Sequence, residues 1–274
     1  MNKHLSLALA SIITLSIPGI VEAQDLFVSD SQSGNIFEFT PDGVQSTFAS
    51  GLVNPAGAAF NRAGDLFVSD TGSGNIYEFT PDGVRSTFAS GLMGPVNLIF
   101  NSAGNLFEAD YNSGNIYEFT RNGVRSTFAS GLRGPDGLAF DRAGNLFVGC
   151  QLSGNIIEIT PEGVQSVFAS GLNPNGLAFD RAGDLLEADA YSGNIYEFTP
   201  GGVRSTFASG FNSPIGLKFD SAGNLFVSVW FGPARNSIYK ITPDGAQSLF
   251  ASGLDYPEYM AFQPGKLPGK KILH

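Results

Sequence analysis

Short apolar runs separated by turn signals recur along this chain in a fixed order. The phrase Asp-Leu-Phe-Val-Ser-Asp at residues 65–70 returns with small changes throughout the sequence. Its copies begin at Asp25, Asp65, Asn105, Asn145, Asp184 and Asn224, which are 40, 40, 40, 39 and 40 residues apart. Near-identical units of this length indicate a repeat architecture in which each unit packs against its neighbours.

Each unit contains four runs of strand-forming residues and no helical periodicity. In the unit around residue 140, the pattern predicts strands over 137–140, 146–150, 156–160 and 165–170. Turns that contain Gly or Pro separate these runs about every ten residues. Four short antiparallel strands in a period of about 40 residues are typical of a propeller blade. The sequence therefore predicts an all-β, six-bladed β-propeller whose blades bury their apolar faces against one another.

The two ends of the repeat region predict how the ring closes. The first unit starts with the second strand of a blade, at Leu26, and residues 259–262 form an unmatched first strand near the other end. We expect this last strand to become the innermost strand of the first blade, because such pairing removes open sheet edges. The predicted propeller spans residues 24–263, and residues 264–274 are predicted to be a flexible tail.

The N-terminal segment has the pattern of a secretory signal peptide. Lys3 precedes an apolar run from Leu5 to Val21, and Ala23 provides a small residue before a cleavage site. We therefore expect residues 1–23 to be removed, which leaves a secreted or periplasmic protein without membrane insertion. The alternative is an uncleaved N-terminal anchor. Mass spectrometry of exported protein should find Gln24 as the first residue, and an intact Met1 would contradict cleavage.

Charge and composition exclude several classes of function. The net charge of −10 argues against nucleic acid and anionic membrane surfaces as partners. Cys150 is the only cysteine, so no intrachain disulfide can form, and we expect a buried structural thiol. The histidines are His4 and His274, outside the predicted propeller. This excludes Ser-His-Asp, Cys-His and histidine-based lyase mechanisms within the propeller. A monomer is expected.

The consensus of the unit, Pro-x-Gly-Leu-Ala-Phe-Asp-x-Ala-Gly-Asn-Leu-Phe-Val-x-Asp, resembles the NHL-repeat propellers. It is also similar to the senescence-marker, gluconolactonase and luciferin-regenerating superfamily, and the resemblance covers nearly all of residues 25–263. Segments 173–179 and 184–189 look most like the gluconolactonase group, whereas the Gly-His and Trp-Asp signatures of WD repeats are missing. The resemblance implies a six-bladed propeller and, for the gluconolactonase group, metal-dependent hydrolysis of lactones or esters.

The gluconolactonase resemblance also implies a divalent-metal ligand at Asn175, which precedes Gly-Leu in its unit. The other ligands of that group are a Glu, a second Asn and an Asp at the starts of other inner strands. Those positions fall near Ala56, Pro135 or Asp136, and Ile215. This sequence therefore departs from the pattern of the group, and two of the four ligands are lost or altered.

The position between Pro and Gly at the start of each first strand varies among the units. It is occupied by Ala56, Val96, Asp136, Asn175, Ile215 and Glu258. In a propeller, these positions lie around the mouth of the central channel. Asp136, Asn175 and Glu258 could supply oxygen ligands to a hard cation, with Ca²⁺ as the best candidate. The alternative is three solvated polar side chains without any metal.

Glu108 and Glu187 replace the Val that the other units carry in their second strands. Each lies two residues before an Asp on the same strand face, and paired carboxylates can do acid–base chemistry when one pKa is raised. They are therefore the candidate catalytic residues. The alternative is that the strand edge is wet there, or that Lys218 neutralises one of them.

A further set of carboxylates ends the second strand in most units. These residues are Asp30, Asp70, Asp110 and Asp189. A ring of carboxylates suggests a cation site, but its repetition favours a scaffold role in which each carboxylate accepts hydrogen bonds from loop amides.

Aromatic and amide residues gather in loops predicted on the face of the channel mouth. Asn97 replaces the strand Gly of its unit, and Trp230 lies in a loop inserted in the sixth blade. Tyr111, Tyr191 and Tyr259 are predicted to lie on the same face. An aromatic rim over a polar pocket suits a small-molecule, peptide or glycan ligand. The alternative is a hydrophobic plug that closes the channel.

Two functional hypotheses follow from these features. The first is a secreted propeller that binds a small ligand at the channel mouth and, with a divalent metal, hydrolyses a lactone or ester. The second is a non-catalytic module that binds a peptide or glycan, and the very regular repeats favour it.

Overall fold

The computed structural model describes residues 24–231 and 236–265, and it shows a six-bladed β-propeller. Each blade is a four-stranded antiparallel sheet, as the repeat predicts. Among the residues described, no helix is long and apolar enough to span a membrane. The predicted signal peptide and residues 266–274 of the predicted tail lie outside the described residues.

The strands of each blade follow one another from the channel outwards. Blade 1 contains β24 (Pro257–Phe262), β1 (Leu26–Asp30), β2 (Asn35–Phe39) and β3 (Gln45–Ala49); blade 2 contains β4 (Pro55–Phe60), β5 (Leu66–Asp70), β6 (Asn75–Phe79) and β7 (Arg85–Ala89); blade 3 contains β8 (Pro95–Phe100), β9 (Leu106–Asp110), β10 (Asn115–Phe119) and β11 (Arg125–Ala129). Blade 4 contains β12 (Pro135–Phe140), β13 (Leu146–Cys150), β14 (Asn155–Ile159) and β15 (Gln165–Ser170); blade 5 contains β16 (Pro174–Phe179), β17 (Leu185–Asp189), β18 (Asn194–Phe198) and β19 (Arg204–Ala208); blade 6 contains β20 (Asn212–Phe219), β21 (Leu225–Phe231), β22 (Ser237–Ile241) and β23 (Gln247–Ala251).

Blade 1 is assembled from both ends of the described chain. β24 pairs antiparallel with β1, with Leu26 opposite Phe262 and Val28 opposite Met260. The backbone N–H of Gln263 donates to the carbonyl oxygen of Asp25 at 2.9 Å. The predicted closure of the ring by its terminal strands is therefore confirmed.

Phenylalanine side chains form the layers between the blades. Phe27 of β1 makes edge-to-face contacts with Phe48 and Phe60, each with ring centroids 5.0 Å apart. The same three-ring arrangement recurs around Phe67, Phe107, Phe147 and Phe226. These contacts add to the burial of apolar surface, which must stabilise a chain that has no disulfide.

The inner strands approach one another too closely for a side chain at several positions. A Cβ atom on Gly137 would lie 1.8 Å from the carbonyl oxygen of Asn175 in the next blade. Equivalent close approaches, at 2.3 to 2.6 Å, exist for Gly57, Gly176 and Gly216. Asn97 and Tyr259 occupy the same place in blades 3 and 1, so the channel wall is built differently in those two blades.

The carboxylates at the ends of the second strands hold the loops of the mouth face. Asp70 accepts the backbone N–H groups of Val53 and Asn54 at 3.0 and 2.8 Å. Asp30, Asp110 and Asp189 also accept backbone N–H groups from the loops around them. These bonds support the scaffold role over a ring of cation ligands.

Candidate functional site

Buried polar side chains from several blades meet at the mouth of the central channel. Asn97, Asp136, Asn175 and Tyr259 belong to the inner strands of blades 3, 4, 5 and 1, and each exposes only 5 to 6% of its surface. Glu258 precedes Tyr259 in β24 and is partly exposed. The predicted metal-ligand positions and two of the predicted ligand-binding residues therefore lie in one region.

Hydrogen bonds join these side chains into one network. The Tyr259 hydroxyl donates to the carboxylate of Asp136, although blades 1 and 4 lie on opposite sides of the ring. The same hydroxyl is hydrogen bonded with the side chain of Asn97. The side-chain amide of Gln151 donates to Asp136 and to the side-chain oxygen of Asn175. We call these residues, together with Glu258, the mouth cluster.

Burial and mutual repulsion dominate the electrostatics of the mouth cluster. Burial raises the pKa of Asp136 to about 6, although hydrogen bonds from Tyr259 and Gln151 favour its ionised form. Burial and the negative charge of Asp136 raise the pKa of Glu258 to about 8. No lysine or arginine of the described residues contributes to either pKa. Acidic groups without a cationic partner are the electrostatic condition for binding a cation.

The oxygen donors of the mouth cluster fit a hard divalent cation. Asp136 and Glu258 offer carboxylate oxygens and Asn175 offers an amide oxygen, which are the ligands that Ca²⁺ prefers, and the side-chain N–H2 group of Gln151 donates to two of these three residues. The donors come from blades 1, 4 and 5, so a cation would be held between blades rather than within one loop. Metal binding by Asp136, Asn175 and Glu258 stays a prediction.

Gln151 is the member of the mouth cluster that the sequence reasoning missed. It follows the second strand of blade 4, at a position occupied elsewhere by Ser31, Thr71, Tyr111, Ala190 and Trp230. The strand register could have identified Gln151, because the preceding residue, Cys150, pairs with Pro135, which is next to Asp136. A comparison of this loop position among the units would have placed an amide next to the predicted carboxylate.

The predicted catalytic residues, Glu108 and Glu187, lie opposite Leu98 and Leu177 of the inner strands and do not join the hydrogen-bonded network of the mouth cluster. Both have an exposed fraction of 0%, and neither carboxylate oxygen of either residue has a hydrogen-bond partner. Burial raises both pKa values, and that of Glu187 reaches about 9. The alternative of a wet strand edge is wrong, and so is neutralisation by Lys218, because the cations that lower these pKa values are Arg125 and Arg204. A base in either position would have no access to a ligand at the mouth.

The aromatic residues divide into those near the mouth cluster and those outside it. Trp230 packs edge-to-face on Tyr256 with centroids 5.5 Å apart, and its indole N–H donates to the carbonyl oxygen of Pro257 at 3.1 Å. Tyr111 is partly buried, and its pKa is raised by that burial and by the nearby charge of Asp136. Tyr191 is 93% exposed and therefore stands apart from the cluster. Trp230 was expected in a loop and lies instead in β21, whereas Tyr259 lies in β24, where a strand was predicted.

Cys150 is buried, in agreement with the expected structural thiol. Burial raises its pKa to about 11, so the thiolate form that would act as a nucleophile is disfavoured.

A second group of acidic side chains lies on the face opposite the mouth. Asp180, Asp184 and Glu197 of blade 5 place carboxylate oxygens within 4.8 Å of one another. All three are partly exposed, and Asp180 already accepts the backbone N–H groups of Gly183 and Asp184. We therefore interpret these carboxylates as side chains that stabilise the turn of blade 5.

Comparisons with known proteins find similarity in the fold but not in the sequence. No protein-family model matches it, and no curated protein matches it in sequence. The propeller in a nidogen–laminin complex superposes with a TM-score of 0.77 at 18% identity, covering 89% of this chain and 100% of that one. A gluconolactonase from Xanthomonas campestris superposes with a TM-score of 0.69 at 17% identity, covering 85% of this chain and 87% of that one.

A third similar structure is a catalytically inactive virginiamycin B lyase from Staphylococcus aureus with quinupristin. It superposes with a TM-score of 0.65 at 14% identity, and the match covers 85% of this chain and 86% of that one. Identities this low show a shared fold alone. The predicted six-bladed propeller fold is therefore confirmed, and it is a fold that the chain shares with a gluconolactonase and with the propeller of the nidogen–laminin complex.

Proposed function

We propose that this protein binds a small ligand at the mouth of its channel and uses a divalent cation there to hydrolyse a lactone or ester. One observation carries the proposal. Asn97 and Tyr259 depart from a position that is otherwise glycine, and both join the same hydrogen-bonded network as Asp136. Independent drift in separate blades would not be expected to converge on one network of buried polar groups, because each such group costs free energy unless it is satisfied.

Each member of the mouth cluster has a distinct role in this proposal. Asp136, Asn175 and Glu258 hold the cation, and Gln151 orients Asp136 and Asn175 through its side-chain N–H2 group. When bound, the cation supplies Lewis-acid chemistry by polarising a carbonyl oxygen and lowering the pKa of a coordinated water. Tyr259 fixes the position of Asp136 by its hydrogen bond across the channel. Glu108 and Glu187 receive no part in this proposal, because both are fully buried and their carboxyl groups have no hydrogen-bond partner.

The wall around the cluster suits a compact ligand with one apolar face. Trp230 and Tyr111 border the cluster, and Trp230, which packs edge-to-face on Tyr256, offers an aromatic surface for apolar contact. The fold shared with a gluconolactonase supports a lactone as the substrate class. We propose export to the periplasm or the cell exterior and action as a monomer, because the sequence carries a signal-peptide pattern and a single closed ring.

Cation binding should raise the melting temperature of the mature protein. A cation that binds only the folded state stabilises it by about 2.7 kcal/mol when its concentration is a hundred times Kd. We expect a response at millimolar Ca²⁺ and little at micromolar Ca²⁺, measured by calorimetry or thermal fluorescence. Asn175→Ala and Glu258→Ala should each abolish the shift, whereas the control Asn54→Ala, an exposed amide on the same face, should retain it.

The metal hypothesis fails if millimolar Ca²⁺, Mg²⁺, Mn²⁺ and Zn²⁺ all leave the wild-type melting curve unmoved. Hydrolysis should be assayed on sugar lactones and aryl esters with the cation that gives the largest shift. A rate that is equal in wild type and Asn175→Ala would overturn the catalytic part of the proposal while leaving cation binding in place.

A non-catalytic recognition module is the second candidate function. The observation that favours it is the superposition on the whole propeller of a nidogen–laminin complex, a protein found bound to a protein partner. Large apolar side chains are also exposed on the mouth face, among them Val53, Met93, Tyr191 and Phe231. A chain that binds no cation but captures a peptide or glycan through Trp230 would support this candidate.

A further inference from the structure

A large groove lies on the face opposite the mouth, between blades 2 and 3. Its volume is about 1000 Å³, which is within the range of small-molecule sites. The apolar wall is formed by Phe60, Phe67, Phe88, Phe100 and Leu106. Pro264 and Gly265, which follow the last strand, complete the lining.

Two arginine side chains converge at one side of this groove. Nη2 of Arg62 donates to the carbonyl oxygen of Ser102 at 2.7 Å, and Nη2 of Arg121 donates to the carbonyl oxygen of Ala103 at 3.1 Å. Their acceptors are consecutive residues of the same turn, so both exposed arginine side chains are anchored to one turn at the edge of the groove. Each bond uses one of the five N–H donors of a guanidinium, which leaves donors for a ligand.

Arg121 is a departure from the repeat. The equivalent turn position is proline in the other units, at Pro41, Pro81, Pro161, Pro200 and Pro243. Arg62, in contrast, has counterparts in Arg142 and Arg181. The groove between blades 2 and 3 therefore combines the arginine of the repeat with a second arginine that the other units lack at this turn.

The charge of this groove differs from that of its counterpart on the same face. Its lining contains Arg62, Arg121 and Glu78, which gives two positive charges and one negative. The groove between blades 4 and 5 has a volume of about 370 Å³, and its charged lining residues are Asp141, Arg142, Glu158 and Asp180. That lining carries one positive and three negative charges. In a protein with net charge −10, a groove with an excess of arginine is complementary to an anion.

We propose that the groove between blades 2 and 3 binds an amphipathic carboxylate, with the carboxylate on Arg62 and Arg121 and the apolar tail against the phenylalanine wall. Arginine suits a carboxylate because its planar donors match the two oxygens. Glu78 is the one acidic side chain among the described residues of the lining, so the two arginines leave an excess of positive charge there. The groove lies on the opposite face from the mouth cluster, so this inference does not depend on the proposed function.

Calorimetric titration of the mature protein with dodecanoate, below its critical micelle concentration, tests the proposal. We expect saturable binding with one ligand per chain. Dodecyltrimethylammonium, which has the same tail and the opposite charge, should bind at least about tenfold more weakly, because it loses the charge-assisted hydrogen bonds.

Variants of Arg121 locate the site. Arg121→Pro restores the residue of the other units, and Arg121→Gln serves if the proline variant is less stable. Each should weaken dodecanoate binding by about tenfold or more, whereas Arg142→Gln in the groove between blades 4 and 5 should leave it within about twofold. Absence of saturable binding, equal affinity for both detergents, or unchanged binding in both Arg121 variants would overturn the proposal.

Discussion

Glu187→Val should make the protein more stable, by roughly 3–4 kcal/mol at pH 7. The carboxyl group of Glu187 is fully buried without a hydrogen-bond partner, and its pKa is raised to about 9. In the unfolded chain its pKa is about 4.3, so folding at pH 7 requires the uptake of a proton. Valine removes this cost, and it is the residue found at the equivalent position in blades 1, 2, 4 and 6.

The pH dependence of this gain has a defined sign. The folded-state pKa lies above the unfolded-state pKa, so the ionisation of Glu187 costs no stability below about pH 4.3 and costs progressively more as the pH rises towards 9. The advantage of Glu187→Val should therefore grow from pH 5 to pH 9. Glu162→Gln, a change of an exposed turn residue, is the matched control and should stay within about 0.5 kcal/mol.

Thermal unfolding monitored by circular dichroism measures the effect. A domain of this size shifts by about 2–4 °C for each kcal/mol, so Glu187→Val should raise the melting temperature by roughly 10 °C at pH 7. Glu108→Val should behave in the same way, since its carboxyl group is equally buried and unpartnered. A melting temperature that is unchanged or lower, or a gain that shrinks with rising pH, would contradict the ionisation argument.

Deletion of residues 257–274 should destabilise the propeller by at least about 5 kcal/mol. The deletion removes β24, whose Tyr259, Met260 and Ala261 are buried, and it exposes the edge of β1. It also removes the hydrogen bond between Tyr259 and Asp136 across the channel. An unpaired edge in a chain rich in β-structure favours association, so aggregation on heating is expected as well.

A second truncation provides the control for this deletion. Removing only residues 266–274 keeps β24 and should leave the melting temperature nearly unchanged. Denaturant titration and size-exclusion chromatography of both truncated proteins separate loss of stability from association. Equal melting temperatures for the full chain and the 257–274 deletion would show that β24 does not hold the ring closed.

The fold could be predicted from the sequence because its information is local and repeated. Each unit carries the same turn residues and strand runs, so the period of about 40 residues fixes the number of blades and of strands per blade. The unmatched strand before Phe262 also identified the closure, since one strand type was missing at Leu26 and present at the other end. Both features depend on counting units rather than on side-chain directions.

The candidate site could be predicted only in part. Asp136, Asn175 and Glu258 share one position of the repeat, and sixfold symmetry alone brings that position to the channel mouth. The direction of the Tyr259 side chain across the channel, and the reach of Gln151 between two inner strands, depend on rotamers that the repeat does not encode. The hydrogen bond between Tyr259 and Asp136 and the role of Gln151 were missed for that reason.

The burial of Glu108 and Glu187 shows a different limit of sequence reasoning. A buried glutamate without a partner is costly, so a wet strand edge was the alternative to a catalytic role at both positions. Whether a strand face is wet depends on the neighbouring blade, which covers both residues completely. A pattern within one unit cannot report what the adjacent unit covers.

Both ends of the propeller meet in blade 1, so the ring could be built equally well from a chain that begins in another blade. The Gln24 side chain donates to the carbonyl oxygen of Gln263 at 2.8 Å, so the first and last residues of the ring are already neighbours. A short linker could join them, and new termini could then be opened at an exposed turn such as 102–104, between the first two strands of blade 3. In such a circular permutant the four strands of blade 1 would follow one another in sequence. The two chain ends would then meet in blade 3, whose strands would close the ring.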